Sequence, residues 1–218
     1  MPKLRVGVLA SGRGSNLQSL IEQTLKGLID AEIVLVASNK ADAHALERAR
    51  QVGIATCVID HRSFASREDF DRAMVAALRE AGVELVVLAG FMRLLSPVFI
   101  EAFPQAIMNI HPSLLPAFPG LDVQRKALEY GARFSGCTVH FVDGGLDTGP
   151  IIIQAVVPIL ENDTQDTLAA RILAQEHRIY PRAVQLFAEG RLRVEGRRVR
   201  ILPPADPDEA VLFNPAVD

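Results

Sequence analysis

The chain alternates short apolar runs with amphipathic segments. Helical periodicity predicts helices over residues 15–26, 41–52 and 67–81. Strands that alternate with helices indicate βαβ units, so we predict an α/β fold with a doubly wound, mostly parallel sheet. The apolar runs, rich in Val, Ile, Leu and Ala, predict strands over residues 4–10, 32–38, 54–59, 85–89 and 106–110.

The pattern changes after about residue 132. Apolar stretches over 137–142 and 151–159, joined by a glycine-rich turn, predict an antiparallel extension at the C-terminal part. Asp163 is the predicted cap of a helix from residue 164 to about Tyr180, where Pro181 ends or kinks it. A terminal hairpin is predicted over 191–194 and 197–201. We expect a single domain over 1–205 and a loose tail over 206–218.

Composition narrows the class of protein. The 218 residues are 49% hydrophobic, enough for a sizeable core, and the net charge of −3 disfavours a dedicated nucleic-acid binder. No apolar run reaches the ~20 residues of a membrane span. Two cysteines, Cys57 and Cys137, fit free thiols in a reducing compartment, and no Cys/His spacing suggests a metal. We therefore predict a soluble cytoplasmic protein with no nucleic-acid or membrane partner.

The loop Ser-Gly-Arg-Gly-Ser-Asn at residues 11–16 lies between the first strand and the first helix. Free N–H groups and the positive dipole end of that helix would favour an anion, most simply a phosphate. Leu17 stands where the dinucleotide fingerprint needs glycine, and residues 38–40 offer no acid for a ribose, so NAD is disfavoured. A phosphate site and an ordinary βα turn with a Ser or Asn cap both remain possible.

A candidate catalytic group follows the strand at 106–110. Asn109 and His111 are two residues apart in an extended segment, so both side chains can face one cleft. An amide and an imidazolium together suit an oxyanion that develops on a carbonyl carbon. Asp147, in a glycine-rich loop, could pair with His111 and favour its charged, proton-donating form. A covalent acyl-enzyme is not supported, because no activated Ser or Cys motif is present.

Six longer motifs run through the chain: SGRGSNL, ASNKADA, LAGFMRLLSP, MNIHPSLLPAFPG, GCTVHFVDGGLDTGP and AQEHRIYP. Together these segments resemble the phosphoribosylglycinamide formyltransferase family, over residues 4–205. The resemblance implies a Rossmann-like formyltransferase fold. It also implies direct transfer of a formyl group from the cosubstrate 10-formyltetrahydrofolate to the amine of 5-phosphoribosylglycinamide (glycinamide ribonucleotide) in purine biosynthesis.

The resemblance implies roles for the residues in these motifs. His111 would be the protonated acid, Asn109 would bind the oxyanion, and Asp147 would hold the charge on His111. Glu176 lies on the apolar stripe of its helix, where a carboxylate should have a partner; the family gives it the ribose hydroxyls, and a buried salt bridge is the alternative. The substrate phosphate would be bound by Gly14, Ser15 and Asn16.

The folate site is implied in the same way. Arg67 would meet the glutamate tail of the folate, although a solvated arginine is the more common state. His140 is a possible auxiliary residue or an ordinary strand histidine. Leu88 and Ile100 would otherwise be core residues. The apolar slot for the pteridine would be lined by Leu88, Met92, Arg93, Leu94, Leu95 and Ile100 and closed by a loop with Asp143, Gly144, Gly145 and Leu146.

The chain departs from the family pattern in one segment. Residues 121–125 lack the histidine often found there in relatives.

Other interpretations of the sequence require different domains or residues. A methionyl-tRNA formyltransferase should carry a further C-terminal domain, and a formyltetrahydrofolate hydrolase an extra N-terminal one. A non-catalytic sugar-phosphate-binding module would keep the glycine loop but would not need Asn109, His111 and Asp147. The sequence is compatible with a monomer or a homodimer.

Overall fold

A computed structural model describes residues 2–203, so the predicted tail at 206–218 lies outside the described residues. The strands are β1 (Leu4–Leu9), β2 (Ala31–Ser38), β3 (Thr56–Val58), β4 (Leu85–Leu88), β5 (Ile107–His111), β6 (Phe134–Phe141), β7 (Ile151–Pro158), β8 (Leu192–Glu195) and β9 (Arg198–Ile201). The α-helices are α1 (Ser15–Leu25), α2 (His44–Gln51), α3 (Arg67–Glu80), α4 (Pro97–Ala102), α5 (Val123–Tyr130) and α6 (Gln165–Ala188).

The described strands form one sheet in the order β3-β2-β1-β4-β5-β6-β7-β9-β8. The first five strands in this order are parallel. β6 is antiparallel to both β5 and β7, and β8 and β9 form an antiparallel hairpin that joins β7 through β9. The predicted doubly wound sheet with an antiparallel C-terminal extension is confirmed.

Helices cover both faces of the sheet, because the parallel strands are apolar on both sides. Val6 and Val8 of β1 belong to the core cluster that also contains buried residues of α1, α2 and α6. Leu9 belongs to the second cluster, together with Phe70 of α3 and Phe99 of α4. The carboxyl edge of the parallel strands is thus supported from both sides. No helix between residues 2 and 203 is long and apolar enough to cross a membrane.

The prediction that α6 ends near Tyr180 is wrong, since the helix continues through Pro181 to Ala188. A proline inside a helix leaves the carbonyl four residues earlier without its usual donor. Here that carbonyl belongs to His177, and it accepts a hydrogen bond from the Ser19 hydroxyl of α1 at 3.0 Å. The freed acceptor is therefore satisfied by a neighbouring helix.

The cap of α6 also differs from the prediction. Thr164, not Asp163, is the N-cap residue, and its hydroxyl accepts a hydrogen bond from the Thr167 N–H in a capping box. Asp163 pairs instead with Arg171 at 2.6 Å, which lowers the pKa of the Asp163 carboxyl.

Two short helices have no counterpart in the predicted elements. α4 begins with Pro97 at its first position, where the missing N–H costs nothing. α5 occupies part of the segment between β5 and β6 and ends at Gly131, which is in the left-handed region. Both helices have fewer than ten residues, too few for a clear helical period.

Candidate active site

The candidate catalytic side chains come from two neighbouring parts of the sheet. β5 carries Asn109 and His111, and β6 runs antiparallel to it with Asn109 paired to His140. The loop after β6 then brings Asp147 back to the same edge. The Nδ1 atom of His111 lies 3.4 Å from Oδ2 of Asp147. The structure thus pairs His111 with Asp147. It connects Asn109 to the same carboxylate through His140, whose Nε2 atom lies 3.2 Å from Nδ2 of Asn109 and 3.9 Å from Oδ1 of Asp147.

His111 is held from two sides. Its side chain is 6% exposed and that of Asp147 is 12% exposed, so the pair is largely shielded from water. The Nε2 atom of His111 lies 2.9 Å from the carbonyl oxygen of Phe118. Both ring nitrogens therefore face hydrogen-bond acceptors, and both can donate only when the ring carries two protons.

The loop after β5 also supports the aspartate. The N–H of Gly120 donates to Oδ2 of Asp147 at 2.9 Å, and the Ser113 hydroxyl donates to the carbonyls of Ala117 and Phe118. Asp147 has a φ of 54°, in the left-handed region that only a few residue types adopt readily. The carboxylate is thus fixed by its own backbone and by the facing loop.

His140 faces Asn109 across the two strands. The Nε2 atom of His140 lies 3.2 Å from Nδ2 of Asn109, and its Nδ1 atom lies 2.8 Å from the Phe141 carbonyl. Nδ1 can only donate to a carbonyl, so Nε2 is the acceptor of the Asn109 amide in the neutral ring. Burial lowers the pKa of His140, which favours that neutral form. His140 therefore fixes which way the Asn109 amide points.

The glycine loop begins α1 as predicted. Gly14 is the N-cap residue with a φ of 72°, and no side chain caps this helix end. A Cβ atom on Gly14 would lie 2.8 Å from the Cα of Ala45, so a larger residue does not fit. The interpretation as a Ser or Asn cap is not what the structure shows. The first N–H groups of α1 are left for another acceptor.

Asn16 and Glu176 lie next to this helix end. The Nδ2 atom of Asn16 donates to Oε2 of Glu176 at 2.7 Å, while Oδ1 of Asn16 is buried without a hydrogen-bond partner among residues 2–203. Glu176 is 7% exposed. Its burial raises the pKa of the carboxyl, an effect that the bond from Asn16 partly opposes. Its partner is thus an amide rather than the cation of the salt-bridge alternative.

The residues expected around the folate divide into two groups. Met92, Leu94 and Leu146 are exposed apolar side chains, at 67%, 56% and 50%. Leu88 is buried in the second core cluster, and Leu95 and Ile100 pack against it. Exposed large apolar side chains such as Met92 and Leu94, two residues apart, are available for a binding surface.

Arg93 is partly buried against an aromatic ring, whereas Arg67 is exposed to solvent. The Arg93 guanidinium lies 5.3 Å above the Phe70 ring, and its Nε atom is buried without a partner within residues 2–203. Arg67, at the start of α3, is exposed beside Glu68 at 3.6 Å. Asp143 accepts hydrogen bonds from Gly145 N–H and from the Thr148 hydroxyl, which shapes the loop that carries Asp147. Gly144 is exposed in the same loop.

Sequence reasoning did not identify two buried polar residues at this edge. Ser11 begins the glycine loop after β1 and is 6% exposed, and Asn39 follows β2 and is 4% exposed. The Ser11 hydroxyl donates to Oδ1 of Asn39 at 2.7 Å. Small polar residues after strands are common in turns, so their pairing across the sheet gives no signal in the sequence.

Comparison with known proteins agrees with this architecture. The formyl transferase family matches residues 4–184. Phosphoribosylglycinamide formyltransferase of Escherichia coli K12 is 48% identical over 191 residues, which are 88% of this chain and 90% of that protein. The trifunctional purine biosynthetic protein adenosine-3 of Drosophila pseudoobscura is 54% identical over 88% of this chain, which spans only 14% of that protein.

Solved structures give the same result. The crystal structure of glycinamide ribonucleotide transformylase 1 from Symbiobacterium toebii has a TM-score of 0.91 at 56% identity. The match covers 92% of this chain and 94% of that one. A phosphoribosylglycinamide formyltransferase from Coxiella burnetii in complex with CHES has a TM-score of 0.88 at 43% identity, over 91% of this chain and 93% of that one. The chain therefore belongs to the formyl transferase family, in which it is similar to phosphoribosylglycinamide formyltransferases.

Proposed function

We propose that this protein transfers a formyl group from 10-formyltetrahydrofolate to the amine of glycinamide ribonucleotide. The observation that carries the proposal is the convergence of Asn109, His111 and Asp147 at the carboxyl edge of the sheet. A module that only binds a sugar phosphate has no use for a buried imidazole beside a partly buried amide and carboxylate. Two relatives, each matched over 90% of its own length, are named phosphoribosylglycinamide formyltransferase.

The reaction needs an oxyanion site and the net movement of one proton. The amine attacks the formyl carbon, and the carbonyl electrons move to oxygen to give a tetrahedral intermediate. When the bond from that carbon to N10 breaks, N10 keeps the electron pair and gains a proton, and the amine nitrogen loses one. The products are the formylated amine and tetrahydrofolate. The protein contributes hydrogen-bond donors for the oxyanion and a group that holds the proton in transit.

In this proposal His111 supplies the charged donor. Because Asp147 faces Nδ1, Nε2 is the nitrogen that donates a hydrogen bond to the formyl oxygen. The formyl oxygen then replaces the Phe118 carbonyl as the acceptor of the Nε2 hydrogen bond. Asn109 donates its second amide hydrogen to the same oxygen. His140 is a positioning residue that acts through Asn109, because it accepts the first amide hydrogen at 3.2 Å.

We assign the phosphate of glycinamide ribonucleotide to Gly14, Ser15 and Asn16. The uncapped N–H groups of α1 and the positive end of its dipole favour a phosphate there. Glu176 then accepts ribose hydroxyls through Oε1, the oxygen outside its bond to Asn16. The unpartnered Oδ1 of Asn16 supplies a further acceptor in the same place.

The folate is assigned to exposed apolar side chains of the segment after β4 and of the loop after β6. Met92 and Leu94, with Leu146 from the facing loop, would cover the pteridine, while Leu88, Leu95 and Ile100 support them from the core. The Asp143–Asp147 loop carries both Leu146 and the catalytic carboxylate. Arg93 would supply a cation, and the exposed Arg67 would meet the anionic tail of the folate.

A direct assay tests the proposal. We expect the purified protein, mixed with glycinamide ribonucleotide and a 10-formylfolate, to produce the deformylated folate, which is followed by its absorbance. Omitting glycinamide ribonucleotide should abolish the change, which separates transfer from hydrolysis. No change at any concentration of the two substrates would reject the proposed activity and favour a binding module.

A further inference from the structure

Ser11 joins the two loops to which the substrates are assigned. Its N–H donates to the Gly90 carbonyl at 3.0 Å, and its hydroxyl accepts a hydrogen bond from the Met92 N–H at 3.0 Å. Ser11 is the residue immediately before the exposed Gly12, where the phosphate loop begins. One buried serine therefore makes two hydrogen bonds to the 90–95 segment, which is assigned to the folate.

The Ser11 hydroxyl is oriented by further side chains. It donates to Oδ1 of Asn39 at 2.7 Å, and Nδ2 of Asn39 lies 3.3 Å from Nδ1 of His61. Because its hydrogen is committed to Asn39, the hydroxyl oxygen offers its lone pairs to the Met92 N–H. His61 in turn lies edge-on to Phe70, the ring beneath Arg93. The chain of contacts thus starts and ends at the 90–95 segment.

The two loops depend on Ser11 to different degrees. The glycine loop has anchors of its own, since the Gly12 carbonyl accepts from Ala45 N–H at 3.0 Å and the Arg13 carbonyl from Arg48 at 2.9 Å. The 90–95 segment carries Met92 and Leu94, whose side chains are mostly exposed and give it little packing. Loss of the hydroxyl should therefore loosen the 90–95 segment far more than the glycine loop.

We propose that Ser11 is a positioning residue for the formyl-folate, which it serves by fixing the main chain at Met92 against the glycine loop. This inference rests on the proposed function. It adds a residue that contacts neither the formyl carbon nor the attacking amine nitrogen. Ser11 orders the folate surface before the folate arrives. Its loss should raise the concentration of folate required while leaving the chemical step intact.

The test compares Ser11→Ala with Ser38→Ala. Ser38 is a matched control because it is fully buried at the same edge and its hydroxyl also accepts a main-chain N–H, that of Lys40 at 3.0 Å. Within residues 2–203 the Ser38 hydroxyl bonds to its own loop and to no second one. For Ser11→Ala we expect the KM for the formyl-folate to rise about fivefold, as for the loss of one partly buried hydrogen bond, with kcat unchanged within about twofold. The KM for glycinamide ribonucleotide should stay within about twofold, and Ser38→Ala should leave both KM values unchanged.

An unchanged folate KM in Ser11→Ala, or an equal rise in Ser38→Ala, would overturn the positioning role. If Ser11→Ala does not fold, Asn39→Ala replaces it, because it removes the acceptor that orients the hydroxyl, together with the Asn39 contact to His61, and leaves the hydroxyl itself in place. A rise in folate KM alone is again expected, and no rise rejects the proposal. The two possible failures are distinguishable. Absence of turnover in the wild-type protein rejects the proposed function, whereas normal wild-type turnover with an unchanged variant KM rejects only the role of Ser11.

Discussion

At the scale of single residues, two neighbouring histidines acquire different chemistry from their hydrogen-bond partners. His111 faces a carboxylate and a carbonyl, so both of its nitrogens have acceptors. His140 faces a carbonyl and an amide, and burial lowers its pKa. One ring is thus arranged to donate and the other to remain neutral and orient Asn109. Sequence alone ranked His111 first but could not assign His140, because that assignment depends on the strand register.

The lowered pKa of His140 makes a prediction for stability. The unfolded chain takes up a proton at this ring as the pH falls below about 6.5, whereas the folded protein does so only at lower pH. The free energy of unfolding should therefore decrease as the pH decreases from 7.5 to 5.5, and that of the His140→Gln variant should decrease less over the same range. The measurement is chemical denaturation of both proteins at the two pH values.

The other titrating groups are present in both the wild type and His140→Gln, so their contributions to the pH dependence cancel when the two proteins are compared. Burial also lowers the pKa of His177, which acts in the same direction. Burial raises the pKa of Glu176, which favours the folded state as the pH falls towards its ordinary value of 4.5. Identical pH dependence in wild type and His140→Gln would contradict the neutral, buried state assigned to His140.

At the scale of elements, the long helix α6 shows how tertiary contacts change a local rule. Proline disfavours a helix interior, yet Tyr180, Ala183 and Val184 around Pro181 are all buried. The Tyr180 hydroxyl donates to the carbonyls of Leu88 and Met108, which ties the helix to β4 and β5. Local preference predicts where a helix can end, but the packing of the following residues decides where it does end.

The hydrogen bond from Ser19 to the His177 carbonyl can be tested by a double-mutant cycle. Ser19→Ala should cost about 1 kcal/mol of stability, because that carbonyl loses its donor. In a Pro181→Ala background, the new N–H can take the same acceptor, so Ser19→Ala should cost less than about 0.5 kcal/mol. Equal costs in both backgrounds, measured by denaturant unfolding, would show that the carbonyl does not depend on Ser19.

The start of α1 makes a second prediction at this scale. Gly14 and Gly27 share a left-handed φ, 72° and 68°, but only Gly14 lacks room for a Cβ. Gly27→Ala should cost about 1 kcal/mol, the price of the left-handed backbone alone. Gly14→Ala should cost at least about 2 kcal/mol, because the contact with Ala45 adds overpacking.

Gly14→Ala and Gly27→Ala should also differ in their KM for glycinamide ribonucleotide. Gly14→Ala should raise the KM for glycinamide ribonucleotide, since it displaces the helix end assigned to the phosphate. Gly27→Ala should leave that KM unchanged. Equal losses of stability, or an unchanged KM in both variants, would argue against the tight approach of Gly14 to Ala45 and against the phosphate assignment.

At the scale of the whole molecule, one sheet brings distant parts of the chain to a single edge. The alternation of apolar runs and helical periods predicts this sheet, because each βαβ unit follows from local pattern. The pairing of Asn109, His111 and Asp147 was predictable from residue types and spacing. The contact between Asn16 and Glu176, and the connection of Ser11 to Met92, were not, because their partners are brought together only by the completed fold.

The arrangement predicts a ternary complex and no covalent intermediate. Cys137 is buried, and burial raises its pKa to about 12, so it is a poor nucleophile. Initial velocities measured against both substrates should give intersecting lines, and mass spectrometry should find no formylated protein after incubation with the formyl-folate alone. Parallel lines together with a formylated side chain would contradict direct transfer.

The most direct test of the central claim is a paired measurement on His111→Ala, with kcat from steady-state turnover and folate affinity from titration. We expect kcat to fall by about 10²–10⁴ while the folate Kd changes by less than about twofold, because the donor acts mainly in the transition state. His44→Ala, an exposed histidine at the start of α2, is the control and should match wild type in both values. A His111→Ala variant that keeps wild-type turnover, or that loses binding and turnover equally, would contradict the account.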